Sequence, residues 1–216
     1  MSACEIPILR QDGALLVCVK PAGIPSEGEN SVQTLLEAQT GGKVFPVHRL
    51  DQAAGGLMVY AKTAQAAARL SEDVRERRFQ KEYFALISGG PEEDEGRLVD
   101  LLYHDRRKNK VFPVKNPRKG VREAALTYRV IERRENASLV RVALETGRTH
   151  QIRVQFASRG MPLLGDGKYG SRAMCPLALW SCRLAFAHPA TGESIDHFLP
   201  PEGGIWTGWS VEGGQT

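Results

Sequence analysis

Strand-like runs arrive in pairs along this chain, and the turns inside each pair are too short for anything but a hairpin. Residues 124–132 and 138–145 alternate apolar and polar around Glu135-Asn136. Residues 6–19 hold two apolar stretches around Gln11-Asp12-Gly13, and Asp-Gly is a strong tight-turn signal. Strands joined this closely must lie antiparallel, because a parallel pair needs a long crossover. Further strand-like runs at 57–61, 81–88, 97–103, 177–186 and 195–199 make strands outnumber helices. Three helices are expected between them. Ser31 caps one carrying Val32, Leu35 and Leu36 up to Gly41-Gly42, and Thr63 caps a longer one to about Arg78 with Ala67, Leu70 and Val74 inward. The third covers 151–159, with Ile152 and Phe156 one turn apart. The pattern predicts an α+β fold, a mixed and largely antiparallel central sheet with flanking helices.

At 216 residues the chain is expected to form one domain spanning 1–216. No apolar run approaches the roughly 20 residues that span a bilayer, and Met1-Ser-Ala-Cys-Glu-Ile-Pro7 lacks the basic-then-apolar pattern of a signal peptide. Cys4, Cys18, Cys175 and Cys182 form no Cys-x-x-Cys pair and the five histidines are scattered, which argues against structural zinc and for free thiols in a reducing, cytoplasmic setting. A net charge of +4 suits a phosphate-rich partner without identifying one.

Two segments concentrate chemistry. His48-Arg49-Leu50-Asp51 sets a carboxylate beside a guanidinium ahead of Gly55-Gly56 and an apolar run; taken alone it also reads as a surface ion pair. Gly147-Arg148-Thr149-His150-Gln151-Ile152-Arg153-Val154 adds two arginines at the start of the third helix. A third segment, 104–122, is basic and broken by prolines, and it reads equally as a solvated loop or as an arm lying on a nucleic-acid backbone.

Several motifs mislead. Gly165-Asp-Gly-Lys-Tyr-Gly170 matches the dinucleotide fingerprint literally, but Met161-Pro-Leu-Leu precedes it and no apolar helix opens within it. His48 with Asp51 lacks the further ligands a metal needs. Glycoside hydrolysis would require a second carboxylate, such as Glu82, Asp105 or Asp166, and nothing in the sequence pairs one with Asp51. Trp180 sits in an apolar strand and is read as core, while Trp206 and Trp209 are read as packing back onto the domain.

Taken in order, the motifs resemble the RluA-type pseudouridine synthases, RNA-modifying isomerases. The resemblance rests on Lys20-Pro-Ala-Gly23, His48-Arg-Leu-Asp51, Lys81-Glu-Tyr-Phe-Ala85, Gly147 to Val154, and Pro162-Leu-Leu-Gly-Asp-Gly-Lys-Tyr169. Ala54-Gly55 stands where the family often has Thr-Ser, and Trp180 where many members have histidine. The motifs begin almost at residue 1, so the resemblance implies a member with the catalytic domain alone.

The resemblance implies the pseudouridine synthase fold and isomerisation of a specific uridine, in ribosomal or transfer RNA, without cofactor or metal. Asp51 falls on the catalytic aspartate, Tyr83 on the tyrosine that stacks on the target base, and Arg153 on the basic residue that pairs with the aspartate. Arg49 falls on an arginine that fills the place of the flipped nucleotide, and Arg148 supports the site or a phosphate. With these, His48, Arg106, Arg107, Lys108 and Lys110 are expected to meet RNA. A monomer with no membrane association is expected. The alternatives are an RNA-binding module without catalysis and a nucleoside or glycoside hydrolase.

Overall fold

The structure is a computed structural model describing residues 5–211. In chain order it contains β1 (Ile8–Gln11), β2 (Leu15–Lys20), α1 (Val32–Thr40), β3 (Phe45–Pro46), β4 (Gly55–Ala61), α2 (Ala64–Arg75), β5 (Gln80–Ser88), β6 (Glu95–Asp105), β7 (Lys110–Val114), β8 (Val121–Arg134), β9 (Ala137–Leu144), α3 (Gln151–Ala157), β10 (Leu179–Ala187) and β11 (Ser194–Phe198). The described residues form two compact units, 5–81 with 180–199 and 82–179 with 200–211.

In the first unit β2 pairs with β1 and β4, β4 with β3, and β10 with β11, all antiparallel. β10 then runs parallel to β4. A Cβ on Gly55 would stand 2.7 Å from the Trp180 ring, and one on Gly56, at φ 113°, would stand 2.3 Å from the Ser181 carbonyl oxygen. The Gly-Gly pair therefore exists to let β10 approach. Leu15, Val17, Leu57, Val59, Leu70, Phe79, Leu184 and Phe186 form the core beneath, with Phe79 and Phe186 stacked at 4.6 Å.

The predicted caps are present. Ser31 and Thr34 form a reciprocal capping box on α1, which ends at left-handed Gly41. The Thr63 hydroxyl accepts from Ala66 N at 3.1 Å, but α2 stops at Arg75 rather than Arg78. The reason is Asp73, which is buried: its carbonyl accepts from Arg78 N and its carboxylate from the Arg78 guanidinium, so the chain turns there.

The second unit is an antiparallel series in the order β5, β9, β8, β6, β7. Segment 104–122 is more regular than the sequence suggested. β6 runs on to Asp105, whose carboxylate accepts from Arg107 N and Lys108 N to close a turn, and the chain returns as β7. Pro113 is tolerated because β7 pairs with β6 at the end of the series, where a missing N–H costs no ladder bond. Leu102, Val111, Ala124 and Val154 form a small core between these strands and α3.

Cys18 and Cys182 are buried and Cys175 is half-buried; burial pushes the Cys18 thiol up to about 12. Cys4 lies outside the described residues.

Candidate functional site

Of the residues singled out in the sequence, His48, Arg49 and Asp51 belong to the first unit, and Tyr83, Arg106, Arg107, Lys108, Lys110, Arg148 and Arg153 to the second.

The Asp51 turn is held from several directions. Its own carbonyl accepts from Ala54 N at 3.0 Å. Ser26 Oγ accepts from Leu50 N at 3.1 Å and donates to Leu50 O at 2.9 Å. Gly23 N donates to Gln52 O at 2.8 Å, and the Gln52 amide returns a bond to Gly23 O. Beneath the turn lies Lys20, 0% exposed, whose Nζ donates to the carbonyls of Pro21 (2.8 Å), Gln52 (3.0 Å) and Ala54 (2.6 Å). Three carbonyl acceptors satisfy the three donors of an ammonium. Burial lowers the Lys20 pKa to about 8, a fall opposed by the negative charge of Asp51. Lys20-Pro-Ala-Gly23 entered the sequence analysis only as a motif of the family resemblance, and the structural task of its lysine was not foreseen.

The neighbours of Asp51 point opposite ways. Arg49 is exposed, its side chain 71% accessible, and pairs with Glu27 at 2.9 Å. An exposed pair of this kind contributes at most about 1 kcal/mol and is readily exchanged for another anion. His48 turns inward. Its Nε2 accepts from Val59 N at 3.2 Å, and its ring lies 5.5 Å from Phe79. Burial, with Lys81 nearby, pushes its pKa down to about 3, so the ring is neutral. The geometry gives His48 the work of holding the turn.

In the second unit, Arg153 sits on α3 and is 7% exposed. Its Nε and Nη2 meet the carboxylate of Asp166 at 2.7 and 2.8 Å, a two-point ion pair the sequence reading did not assign. The helix is buried nearly all round, including Gln151 and Gln155. Gln151 accepts from Thr146 Oγ1 and Arg148 N and donates to Ala125 O, which ties the start of α3 to β8. Tyr83 lies buried in β5 opposite Val142.

Arg106, Arg107 and Arg148 share one open cleft of about 820 Å³, which Lys119 and Arg122 also line. These five cations face a single carboxylate, Asp105, already bonded to its own turn. Tyr103 forms part of the wall and carries the Arg118 guanidinium 4.9 Å from its ring centre. Lys108 and Lys110 fall outside this lining, and Lys110 lies over the rings of Phe112 and Tyr169. Cations and an aromatic ring on a cleft wall suit a polyanion that also presents flat bases.

The RNA pseudouridylate synthase family matches residues 14–158. The chain belongs to this family. It is 36% identical over 211 residues to the dual-specificity RNA pseudouridine synthase RluA of Escherichia coli, covering 90% of this chain and 93% of that one. It is 36% identical to an uncharacterized RNA pseudouridine synthase of Synechocystis, of whose length it spans 65%, and 37% identical to the ribosomal large subunit pseudouridine synthase D of Haemophilus influenzae, of whose length it spans 51%. The human RNA pseudouridylate synthase domain containing 1 has the same fold, with a TM-score of 0.78 at 23% identity over 93% of this chain and 85% of that one. The family's α+β fold, with its mixed and largely antiparallel strands, is the one expected from the hairpin pattern.

No helix among the described residues is long and apolar enough to cross a membrane.

Proposed function

We propose that this chain isomerises a uridine in structured RNA to pseudouridine, with Asp51 as the catalytic carboxylate. The observation that carries the reading is the Asp51 turn, braced by Lys20, Gly23, Ser26 and His48, in a chain matched by the family over residues 14–158.

The reaction breaks the bond between ribose C1′ and uracil N1 and joins C1′ to C5. The proton on C5 leaves to solvent and N1 gains one, so atoms balance without redox chemistry or a co-substrate. Asp51 acts at the junction of sugar and base, by attack on C1′, by attack on the ring, or by removing the ribose 2′ proton. Arg153 supplies the cation of the reaction; arginine suits this because it stays charged when desolvated. Tyr83 holds the detached uracil by stacking.

A stacked uridine must first leave its helix, which costs a few kcal/mol. Arg49, exposed and held by one exchangeable ion pair, is suited to fill the vacancy. Arg106, Arg107, Arg148, Lys119 and Arg122 bind the RNA backbone in their shared cleft. Lys108 and Lys110 act at its margin. The RNA is ribosomal or transfer RNA, and the protein works as a monomer in the cytoplasm.

The test is incubation with RNA tritiated at uracil C5. Tritium release from an intact chain supports isomerisation. Free uracil would assign hydrolysis instead, and binding without release would assign a non-catalytic module.

A further inference from the structure

The segment Gly165-Asp-Gly-Lys-Tyr-Gly170, a failed nucleotide fingerprint in the sequence, surrounds Arg153 in the structure. Asp166, 2% exposed, takes the Nε–Nη2 edge of the guanidinium in two bonds. Tyr169 sets its ring 5.2 Å from the guanidinium carbon, within cation–π range. The ring is itself fixed: its hydroxyl accepts from Val111 N at 2.9 Å and lies 2.9 Å from His150 Nδ1.

Leu164 N donates to Leu86 O at 2.8 Å, tying the start of the segment to β5, and Ser171 N closes the segment back on Asp166 O at 3.0 Å. Gly165, at φ 76°, comes so near the chain at Pro176 that a Cβ would lie 2.2 Å from its carbonyl oxygen. His150 holds a left-handed conformation, φ 51°, at the entry to α3. A non-glycine residue is strained there and persists where surrounding contacts enforce it.

An arginine side chain has several rotatable bonds. Two hydrogen bonds along one edge define the plane of its guanidinium, and a ring over one face resists rotation out of that plane. We infer that Asp166 and Tyr169 are positioning residues for Arg153, fixing the guanidinium in orientation before substrate arrives. This rests on the role proposed for Arg153, and the experiment separates the two claims.

The probe is bulk RNA labelled with tritium at uracil C5, taken from cells lacking this chain. Turnover is measured for Asp166→Asn, Tyr169→Phe, Arg153→Lys, Arg153→Ala and the double variant Arg153→Lys/Asp166→Asn, each checked for folding by thermal melting. Asp166→Asn and Tyr169→Phe are expected to lower kcat about tenfold or more with KM within about twofold. The double variant should be no slower than Arg153→Lys, because Asp166 acts only through that arginine. Additive losses, a rise in KM alone, or wild-type turnover in a folded Asp166→Asn would overturn the inference. Should Asp166→Asn fail to fold, Tyr169→Phe decides, since it keeps the ring and removes only the hydroxyl anchors. Normal turnover in Arg153→Lys and Arg153→Ala would instead remove the role of Arg153. Impaired Arg153 variants beside a wild-type Asp166→Asn would remove this inference alone.

Discussion

The ammonium of Lys20 lies 2.6 Å from the carbonyl oxygen of Ala54, fully buried and three residues beyond Asp51. With Pro21 O and Gln52 O it completes a cage of main-chain acceptors around one side chain. The loop is thus fixed by a charge that has no other outlet. Replacing Lys20 with Met leaves these carbonyls short of a donor in a dry setting, and should lower stability by about 3 kcal/mol. Urea denaturation of the two proteins measures it.

The same lysine gives a pH signature. Its pKa is about 8 in the folded chain against an ordinary 10.5. Between these values the unfolded chain holds the proton and the folded chain has released it. Stability therefore rises with pH across that window on account of this group. The wild-type protein should gain on Lys20→Met as pH rises from 8 toward 10.5, a difference readable from urea midpoints at several pH values.

His48 acts at the acid end. Its pKa of about 3 lies below an ordinary 6.5, because burial and Lys81 oppose protonation. As pH falls through 6.5 toward 3 the unfolded chain takes up a proton that the folded chain refuses, so stability falls. His48→Gln, which keeps an acceptor and does not titrate, should show a shallower loss over this range in acid unfolding.

The basic cleft predicts a salt dependence. Each phosphate contact contributes roughly 0.7–0.9 to the slope of log affinity against log salt. Neutralising Arg106, Arg107, Lys119 and Arg122 one at a time should flatten that slope and raise KM while leaving kcat near wild type. Filter binding and turnover at several salt concentrations measure both.

Much of this was legible in the sequence where the signal is local. The alternation around Glu135-Asn136 set the β8–β9 hairpin, and Ser31 and Gly41 marked both ends of α1. Signals that depend on distant partners were not legible. The need for Gly55-Gly56 was not visible because the strand that requires them, around Trp180 and Ser181, comes more than a hundred residues later. The role of Lys20 was hidden, since the carbonyls it binds acquire their positions only in the fold. Asp166 was hidden inside a motif whose glycines suggested a different chemistry. Segment 104–122 looked irregular because Pro113 is a poor strand residue everywhere except at an edge.

The most direct measurement concerns Asp51 itself. Asparagine keeps the size of the side chain and removes its charge and nucleophile. Asp51→Asn, folded and binding RNA as the wild type does, should release no tritium above background from RNA labelled at uracil C5. Release at the wild-type rate would contradict the account.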